Sequence, residues 1–545
     1  MAGLVAAFGS GAMTNSVPEF SAETQCFLIT GSNTTEAHPL VASHVLEAKE
    51  RGRTERAKII VVDPREVQIG RLADLYLRPR PGTDVAWLNG LMNVIISEGL
   101  EDRAFIEERT EGYEELRQVV MEYTPERVEE ISGIPADHLR RAARMYAQNK
   151  PAAILYAMGI TQHTTGTDNV KSCANLAMLT GNMGVAGGGV NPLRGQNNVQ
   201  GACDLGGLPN VYSGYQRVTM PEVKAKFEAA WWVEGLSDQV GMTVTEMVDG
   251  AGEGSLRALY VMGENPMLSD PDVNHVRHCL EQLEFLVVQD IFLTETAQLA
   301  HVVLPGTSFA ERNGTFTGTD RRIQRVRKAI EPLGKAKPDW EIICLLAQRM
   351  GASGFDFASP GEVMDEIAQV TPIYGGVSYA RLEREGFLQW PVPAPDHPGT
   401  PYLHKGKFSR GLGHFHAIQF QEAAELPDEE YPLILTTGRL MFHWHTGTMT
   451  RRSEKLDQEV PEAYVEMHPD DAHRIGLNGN QRVRVKSRRG EIELRVRVTS
   501  HIRRGVVFIP FHFVEAAANA LTHAALDPIA KIPEYKVCAV RVEPA

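Results

Sequence analysis

The sequence predicts an α/β protein: two pseudo-repeated domains built on doubly wound parallel sheets, then a C-terminal β-barrel domain. Three observations carry this. An apolar run, Cys26–Thr30, meets Gly31 and Asn33, and a second run, Lys58–Val62, ends in Asp63-Pro64-Arg65, after which A-D-L-Y-L-R-P-R-P-G-T-D leads to Asp84. The same order returns in A-L-Y-V-M-G-E-N-P (258–266), F-L-V-V-Q-D (285–290) and A-H-V-V-L-P-G-T-S (300–308), and Ala73 follows Asp63 at the offset at which Ala300 follows Asp290. From about Tyr431 the pattern changes to short alternating strands. Strand, glycine turn, helix, strand ending in an acid, helix, strand is the signature of a doubly wound sheet. The expected division is 1–195, 196–415 and 416–545.

Each copy carries its own chemical implication. Ligands of such sheets bind at the carboxyl ends of the strands, where glycine admits close backbone approach and helix N-termini favour phosphate. An acid at the next strand end accepts hydrogen bonds from ribose hydroxyls or a guanine edge. Two units therefore predict two nucleotide-like ligands. Gly31 with Asn33 is not G-x-G-x-x-G, so a nicotinamide site is weakly supported, and plain glycine turns remain the bland alternative. Between the copies, residues 102–149 show apolar spacing of three and four with charges on a solvated face, and Asp137 is placed to cap a helix. This stretch reads as scaffold.

In the C-terminal domain Val483 and Val485, then Ile492, Leu494, Val496 and Val498, alternate with polar residues as half-buried antiparallel strands do, and Arg488-Arg489-Gly490 marks a hairpin turn. The Arg- and Lys-rich stretch 481–504 is the wet face of that sheet, with shielding of a pyrophosphate the lesser reading. Two histidines flank a tryptophan in T-G-R-L-M-F-H-W-H-T-G-T (437–448), and H-x-H without further ligands is weak evidence for metal.

Composition narrows the function classes. A chain of 545 residues exceeds a single core. A net charge of -14 argues against nucleic-acid binding. No run approaches the ~20 apolar residues of a membrane span. The six cysteines, Cys26, Cys173, Cys203, Cys279, Cys344 and Cys538, form no C-x-x-C pair. Neither a zinc site nor an iron–sulfur cluster is supported, and scattered reduced thiols suit a cytoplasmic protein.

The most informative stretch is 190–204, V-N-P-L-R-G-Q-N-N-V-Q-G-A-C-D. Arg194 sits there among amide side chains that both donate and accept, and glycines let another group approach the backbone. An apolar helical run (173–179) and a glycine-rich stretch (181–189) precede it, so it reads as an ordered loop at a site rather than a solvated turn.

The string N-P-L-R-G-Q-N-N-V-Q-G-A-C-D resembles the signature of formate dehydrogenase catalytic subunits of the molybdopterin oxidoreductase superfamily. G-I-T-Q-H-T-T-G-T-D-N (159–169) and P-E-Y-K-V-C-A-V-R-V-E-P (533–544) resemble the same subunits, and the similarity runs the length of the chain. The resemblance implies two molybdopterin guanine dinucleotides with molybdenum or tungsten. By it, Gly31, Asn33, His38, Asp63, Pro64, Arg65, Gly82 and Asp84 hold one, and Gly263, Asn265, Gln289, Asp290 and Ser308 the other. Met158, Gly159, Gln162, Gly195 and Gln196 line the cofactor, as do Arg439, His443, His445 and Thr446, which face pterin or phosphate, and Asn519 and Lys536 join from the tail. Arg194 is the catalytic candidate: it orients formate, with Gln162, His163 and Gln196 lining the same cavity. Two α/β lobes would then hold the twin cofactors around Arg194. Electrons leave for iron–sulfur, flavin or hydrogenase-type partner subunits, and no protein ligand to the metal is assigned.

The resemblance also places Met1 just beyond the family's metal-ligating Cys or selenocysteine and its adjacent His, with the iron–sulfur domain earlier still. The expectation is a portion downstream of an in-frame selenocysteine codon, with a natural short paralogue as the alternative, and a chain that alone shows no formate:dye reductase activity. Residues 52–56 read as a short insertion, and Gly318 stands where the family commonly has Asn, so no role is carried there. Competing readings are a nitrate or oxyanion reductase of the same superfamily and a non-catalytic cofactor-binding scaffold.

Overall fold

The computed structural model describes residues 1–51 and 56–545, so most of the expected insertion lies outside the described residues. Contacts divide the chain into two compact units: Met1–Gly195 with Leu268–Val273 and Tyr402–Ala545, and Gln196–Met267 with Asn274–Pro401.

The first unit holds a five-stranded parallel sheet. Its strands are β1 (Cys26–Thr30), β2 (Lys58–Val62), β3 (Leu75–Leu77), β4 (Ala152–Tyr156) and β5 (Val190–Pro192), in spatial order β3-β2-β1-β4-β5. The order reverses beside β1, which is the switch point where such sheets open a binding crevice. Successive residues serve opposite faces. Leu28, Ile60, Val62 and Ile154 pack against Trp87, Leu91, Leu139 and Leu176 of the helices Asp84–Ser97, Ala136–Gln148 and Gly166–Leu179. Phe27, Ile29, Ile59, Val61 and Leu155 pack on the other side against Val41 and Val45 of the helix Pro39–Glu50. A strand buried on both faces reads as a continuous apolar run, which is why β1 and β2 stood out in the sequence.

The helical stretch after Asp102 forms four helices as expected, with one correction. Asp137 lies inside the first turn of Ala136–Gln148, whose N-cap is Pro135, and its carboxylate meets Arg140 at 3.3 Å. The cap is supplied from outside the helix: Glu129 Oε2 accepts the Ala136 N–H at 3.0 Å. The acid already present on the preceding helix reaches the free N–H first.

The same unit contains the closed barrel, in the order β9-β13-β10-β12-β11-β14, formed by β9 (Leu433–Gly438), β10 (Tyr464–Met467), β11 (Arg482–Lys486), β12 (Glu491–Val498), β13 (Val506–Pro510) and β14 (Cys538–Pro544). The β11–β12 hairpin is antiparallel, and Ser487 and Gly490 close its turn at 2.9 Å. Two pairs, β9–β13 and β10–β12, are parallel, which alternation alone does not reveal. Arg484 and Lys486 meet Glu493 and Glu543 at 2.7 and 2.9 Å on the outside, the wet-face reading of these cations. Barrel and sheet are fastened to one another. Arg65, in the turn after β2, grips Glu466 of β10 through two hydrogen bonds of 2.8 and 3.1 Å and lies 3.9 Å above the Phe508 ring, and Glu66 N–H donates to His501 O at 2.7 Å.

The second unit repeats the motif as a parallel sheet ordered β8-β7-β6, from β6 (Ala258–Met262), β7 (Phe285–Asp290) and β8 (Val302–Pro305). An antiparallel sheet of Gly314–Thr317, Arg322–Val326 and Phe387–Gln389 follows, stabilised by fully buried Arg321, which donates to the carbonyls of Thr400 and Pro401 at 2.8 Å. Among the described residues no helix is long and apolar enough to cross a membrane.

Candidate active site

In the first unit the predicted residues gather at the carboxyl edge of the sheet. Gly31 leaves β1 with φ +56°, and a Cβ there would lie 2.6 Å from the Gly159 carbonyl carbon, so this crossing of two backbones requires glycine. Gly159 N–H closes it by donating to Gly31 O at 3.0 Å. Met158 and Gly159 open the short helix Met158–Thr161, and Gln162 follows, half-buried. Asp63 ends β2 and its Oδ1 accepts the Arg65 N–H at 2.9 Å, with Pro64 between them. Gly82, at φ +82°, precedes Asp84, the first residue of its helix. The Asn33 amide nitrogen and His38 Nδ1 are buried without a hydrogen-bond partner, two polar groups that a ligand would satisfy.

Residues 190–204 are ordered, beginning as β5 and ending in the helix Val199–Asp204. Arg194 lies on the loop between them, partly buried, its backbone carbonyl 3.0 Å from His38 Nε2 and its Nη2 3.5 Å from Gly11 O. Gly195 abuts Arg439: a Cβ on Gly195 would stand 2.6 Å from either terminal guanidinium nitrogen. Gln196 is the first residue of the second unit and is half-buried.

The barrel contributes the opposite wall within this unit. Arg439 follows β9 and stacks 4.7 Å from the Trp444 ring. Burial pushes its guanidinium down to about 10, and no carboxylate pairs with it among the described residues. Lys536 is buried, donates from Nζ to Thr437 O at 2.7 Å, and is pushed down to about 7 by burial and by Arg439, with Asp63 the acid opposing it. Asp63 itself is pushed up to about 6 by burial, with Asp84 adding to the rise. His445 is held near 4 by burial and Arg439, and burial lowers His38 to about 4 as well. His443 turns into the barrel: its Nε2 donates to Val460 O at 2.7 Å and its ring meets Phe513 edge-on. Thr446 Oγ1 pairs with Thr448 at 2.8 Å, and Asn519 donates to the carbonyls of Leu268 and Ser269 at 2.9 and 3.1 Å. The edge therefore sets two buried basic side chains, Arg439 and Lys536, against the buried carboxyls of Asp63 and Asp84, and burial disfavours the charged form of each.

His163 sits deeper than a cavity-lining residue. Its ring is 2% exposed, with Nε2 2.9 Å from Gly159 O and Nδ1 3.7 Å from Glu534. Arg65 pairs with Glu466. Sequence reasoning missed Glu534, although its motif was in view, and His512, whose Nε2 accepts the Leu440 N–H at 2.9 Å beside Arg439. Nothing in F-H-F marks that histidine as special.

In the second unit the predicted residues also share the strand ends. Gly263, at φ +65°, follows β6 and donates to Gln289 O at 2.9 Å. Gln289 donates to Asp339 at 2.7 Å, and Asp290 ends β7, where its Oδ1 accepts the Phe292 N–H at 3.1 Å. Asn265 accepts the Thr296 hydroxyl at 2.7 Å, and Ser308 caps the turn Phe309–Glu311.

The described residues include one cluster with metal-ligand spacing, Glu425, His523 and Cys538, whose ligand atoms lie within 4.8 Å. Arg488 and Arg489 already engage both oxygens of Glu425, and His523 Nδ1 accepts the Ala525 N–H at 3.2 Å, so the cluster is satisfied without an ion. All six cysteines are free thiols.

Comparison with known proteins follows this geometry. Residues 6–349 match the family model Molybdopterin oxidoreductase, and residues 433–539 match the Molydopterin dinucleotide binding domain. The chain is 53% identical over 544 residues to F420-dependent formate dehydrogenase 1 subunit alpha of Methanococcus maripaludis, covering 99% of this chain and 79% of that one. It is 50% identical to F420-dependent formate dehydrogenase subunit alpha of Methanocaldococcus jannaschii, with the same coverage. It is 43% identical to formate dehydrogenase H of Escherichia coli, covering 100% of this chain and 76% of that one. Among solved structures, acetylene hydratase from Pelobacter acetylenicus shares the fold at TM-score 0.80 and 21% identity, over 100% of this chain and 80% of that one.

Proposed function

This chain belongs to the molybdopterin oxidoreductase family, and from that premise we propose that it forms the bulk of a formate dehydrogenase catalytic subunit, oxidising formate to carbon dioxide at a bis-molybdopterin guanine dinucleotide centre of molybdenum or tungsten. One observation carries the reading: buried Arg439 and Lys536, both pushed toward neutrality, face the edge where Gly31, Asp63 and Asp84 stand. Such an edge fits a dianionic pyrophosphate, and the orphaned Asn33 amide and His38 Nδ1 fit its nucleotide or pterin polar groups. Gly263, Asn265, Gln289, Asp290 and Ser308 hold the second nucleotide in the same manner.

When bound, the metal–pterin group would supply the two-electron acceptor that formate oxidation requires, with the C–H hydrogen leaving as a proton. The protein's part is binding and charge. Formate presents two oxygens, and the planar Arg194 guanidinium matches them with parallel charge-assisted hydrogen bonds. Arg194 belongs to a loop tied down by His38 and by the Gly195–Arg439 contact, so its backbone is set before substrate arrives. Relatives named as alpha subunits support partner subunits for this chain, and iron–sulfur or flavin groups in them would take up the electrons.

The test is anaerobic isolation of the enzyme containing this chain together with its partners, followed by pterin and metal analysis and by assay with formate and with nitrate. Bound guanine dinucleotide and formate-dependent dye reduction are expected. Nitrate reduction without formate oxidation, or a protein devoid of pterin and metal, overturns the proposal.

A further inference from the structure

Glu534 is 1% exposed, yet it is surrounded by donors. Its Oε1 accepts the N–H and hydroxyl of Thr164, each at 3.2 Å, and its Oε2 accepts the Ala424 N–H at 3.1 Å. Imidazoles flank it: His163 Nδ1 at 3.7 Å and His523 Nε2 at 3.4 Å. On its far side His163 Nε2 meets Gly159 O at 2.9 Å and Asp84 Oδ2 at 3.7 Å. Gly159 is in turn locked to Gly31, since a Cβ on Gly159 would come within 2.4 Å of Gly31 Cα. Two residues on from Glu534, Lys536 reaches Thr437 O. One carboxylate thus stands at the head of two lines of contact, one ending at the glycine turn of β1 and the other at a buried cation of the same edge.

We propose that Glu534 is a positioning residue, which orients His163 and through it the Gly31–Gly159 turn while seating Lys536, so that both sides of the nucleotide edge are set before the anionic ligand arrives. The inference rests on the reading of that edge as a guanine dinucleotide site. Charge favours the arrangement. Burial alone would push the Glu534 carboxyl up, but the neighbouring His163 and His523 imidazoles hold it well below the usual carboxylate range. Burial would lower His163, and Glu534 and Asp84 raise it instead, so imidazole and carboxylates favour one another's charged forms. His523, between Glu534 and Cys538, is fixed by its Nε2, which donates to Val537 O at 3.0 Å. A buried carboxylate survives only with such a full set of partners.

The test uses the whole chain, with hydrogen exchange read on peptides 158–165 and 520–537 and with guanosine diphosphate as the binding probe. Glu534→Gln is expected to speed exchange in both peptides and to weaken the probe about tenfold, the scale of one lost charge-assisted hydrogen bond. Glu534→Asp should recover part of each. His163→Gln separates positioning from simple anchoring: it should loosen 158–165 as Glu534→Gln does while leaving 520–537 protected. Glu98→Gln, which breaks a surface pair with Arg144, serves as control and should change neither peptide. If Glu534→Gln loosens the tail alone and 158–165 keeps its protection, the inference is overturned. A wild-type chain that ignores guanosine diphosphate counts against the ligand reading, while the exchange comparison still decides the role of Glu534.

Discussion

Arg439 and Lys536 tell more about what binds here than any carboxylate does, because burial weakens the charge of both and neither forms an ion pair among the described residues. Lysine ordinarily titrates near about 10.4, and Lys536 is pushed down to about 7. An anion placed beside it favours the ammonium and raises that value. At pH 8 the group is then mostly neutral before binding and charged after, so binding of guanosine diphosphate should take up protons. Calorimetry in buffers of different ionisation enthalpy measures this; Lys536→Met should abolish the uptake, and a wild-type protein showing none would sink the assignment. At pH 8 Asp63, near 6, is already ionised and does not confuse the sign. For Arg194, replacement by alanine in the intact enzyme should lower kcat/KM for formate by orders of magnitude, and Arg194→Lys should recover little, since a point charge cannot form the paired hydrogen bonds. Near-normal kcat/KM in either variant would remove Arg194 from its role. The ordered loop of Arg194 was legible from its amide-rich string, whereas the burial of Lys536 beside Arg439 was not. The pairing of Arg65 with Glu466 and the turn of His443 into the barrel were not, because they depend on partners far away in sequence.

At the scale of elements the repeat was the most legible feature. Continuous apolar strands, glycine after the first and an acid after the second survive in the sequence because each answers a local demand. The crossing of Gly31 with Gly159 joins residues that follow different strands, and nothing local announces it. Gly159→Ala should destabilise the first unit by about 1–3 kcal/mol, the usual cost of overpacking, because the clash is with backbone and no side chain can yield. Urea titration reads this, and an unchanged midpoint would show that the turn has slack. Alternation identified the barrel hairpin but was silent on its parallel pairs, since a period of two is the same in either direction. The helix cap went to the wrong acid for a similar reason: Asp137 had the right type and place, and Glu129 on the preceding helix had the shorter route to the free N–H.

The whole molecule depends on pairings that span most of its length. Arg65 and Glu466 are separated by 401 residues and bury a two-point ion pair between sheet and barrel. Removing one partner strands the other, so Glu466→Gln should cost about 3–5 kcal/mol, whereas replacing both with methionine should cost less than the single changes sum to. A double-mutant cycle on denaturation midpoints checks this, and strict additivity would mean the pair is idle. The ring of barrel strands is closed by Cys538–Pro544, which lies between Leu433–Gly438 and Arg482–Lys486. Until that strand is in place the barrel cannot shut, and Glu534 and Lys536 stand only just ahead of it. Removal of residues 538–545 should therefore unseat Lys536 along with the barrel, and such a shortened protein should lose its hold on guanosine diphosphate.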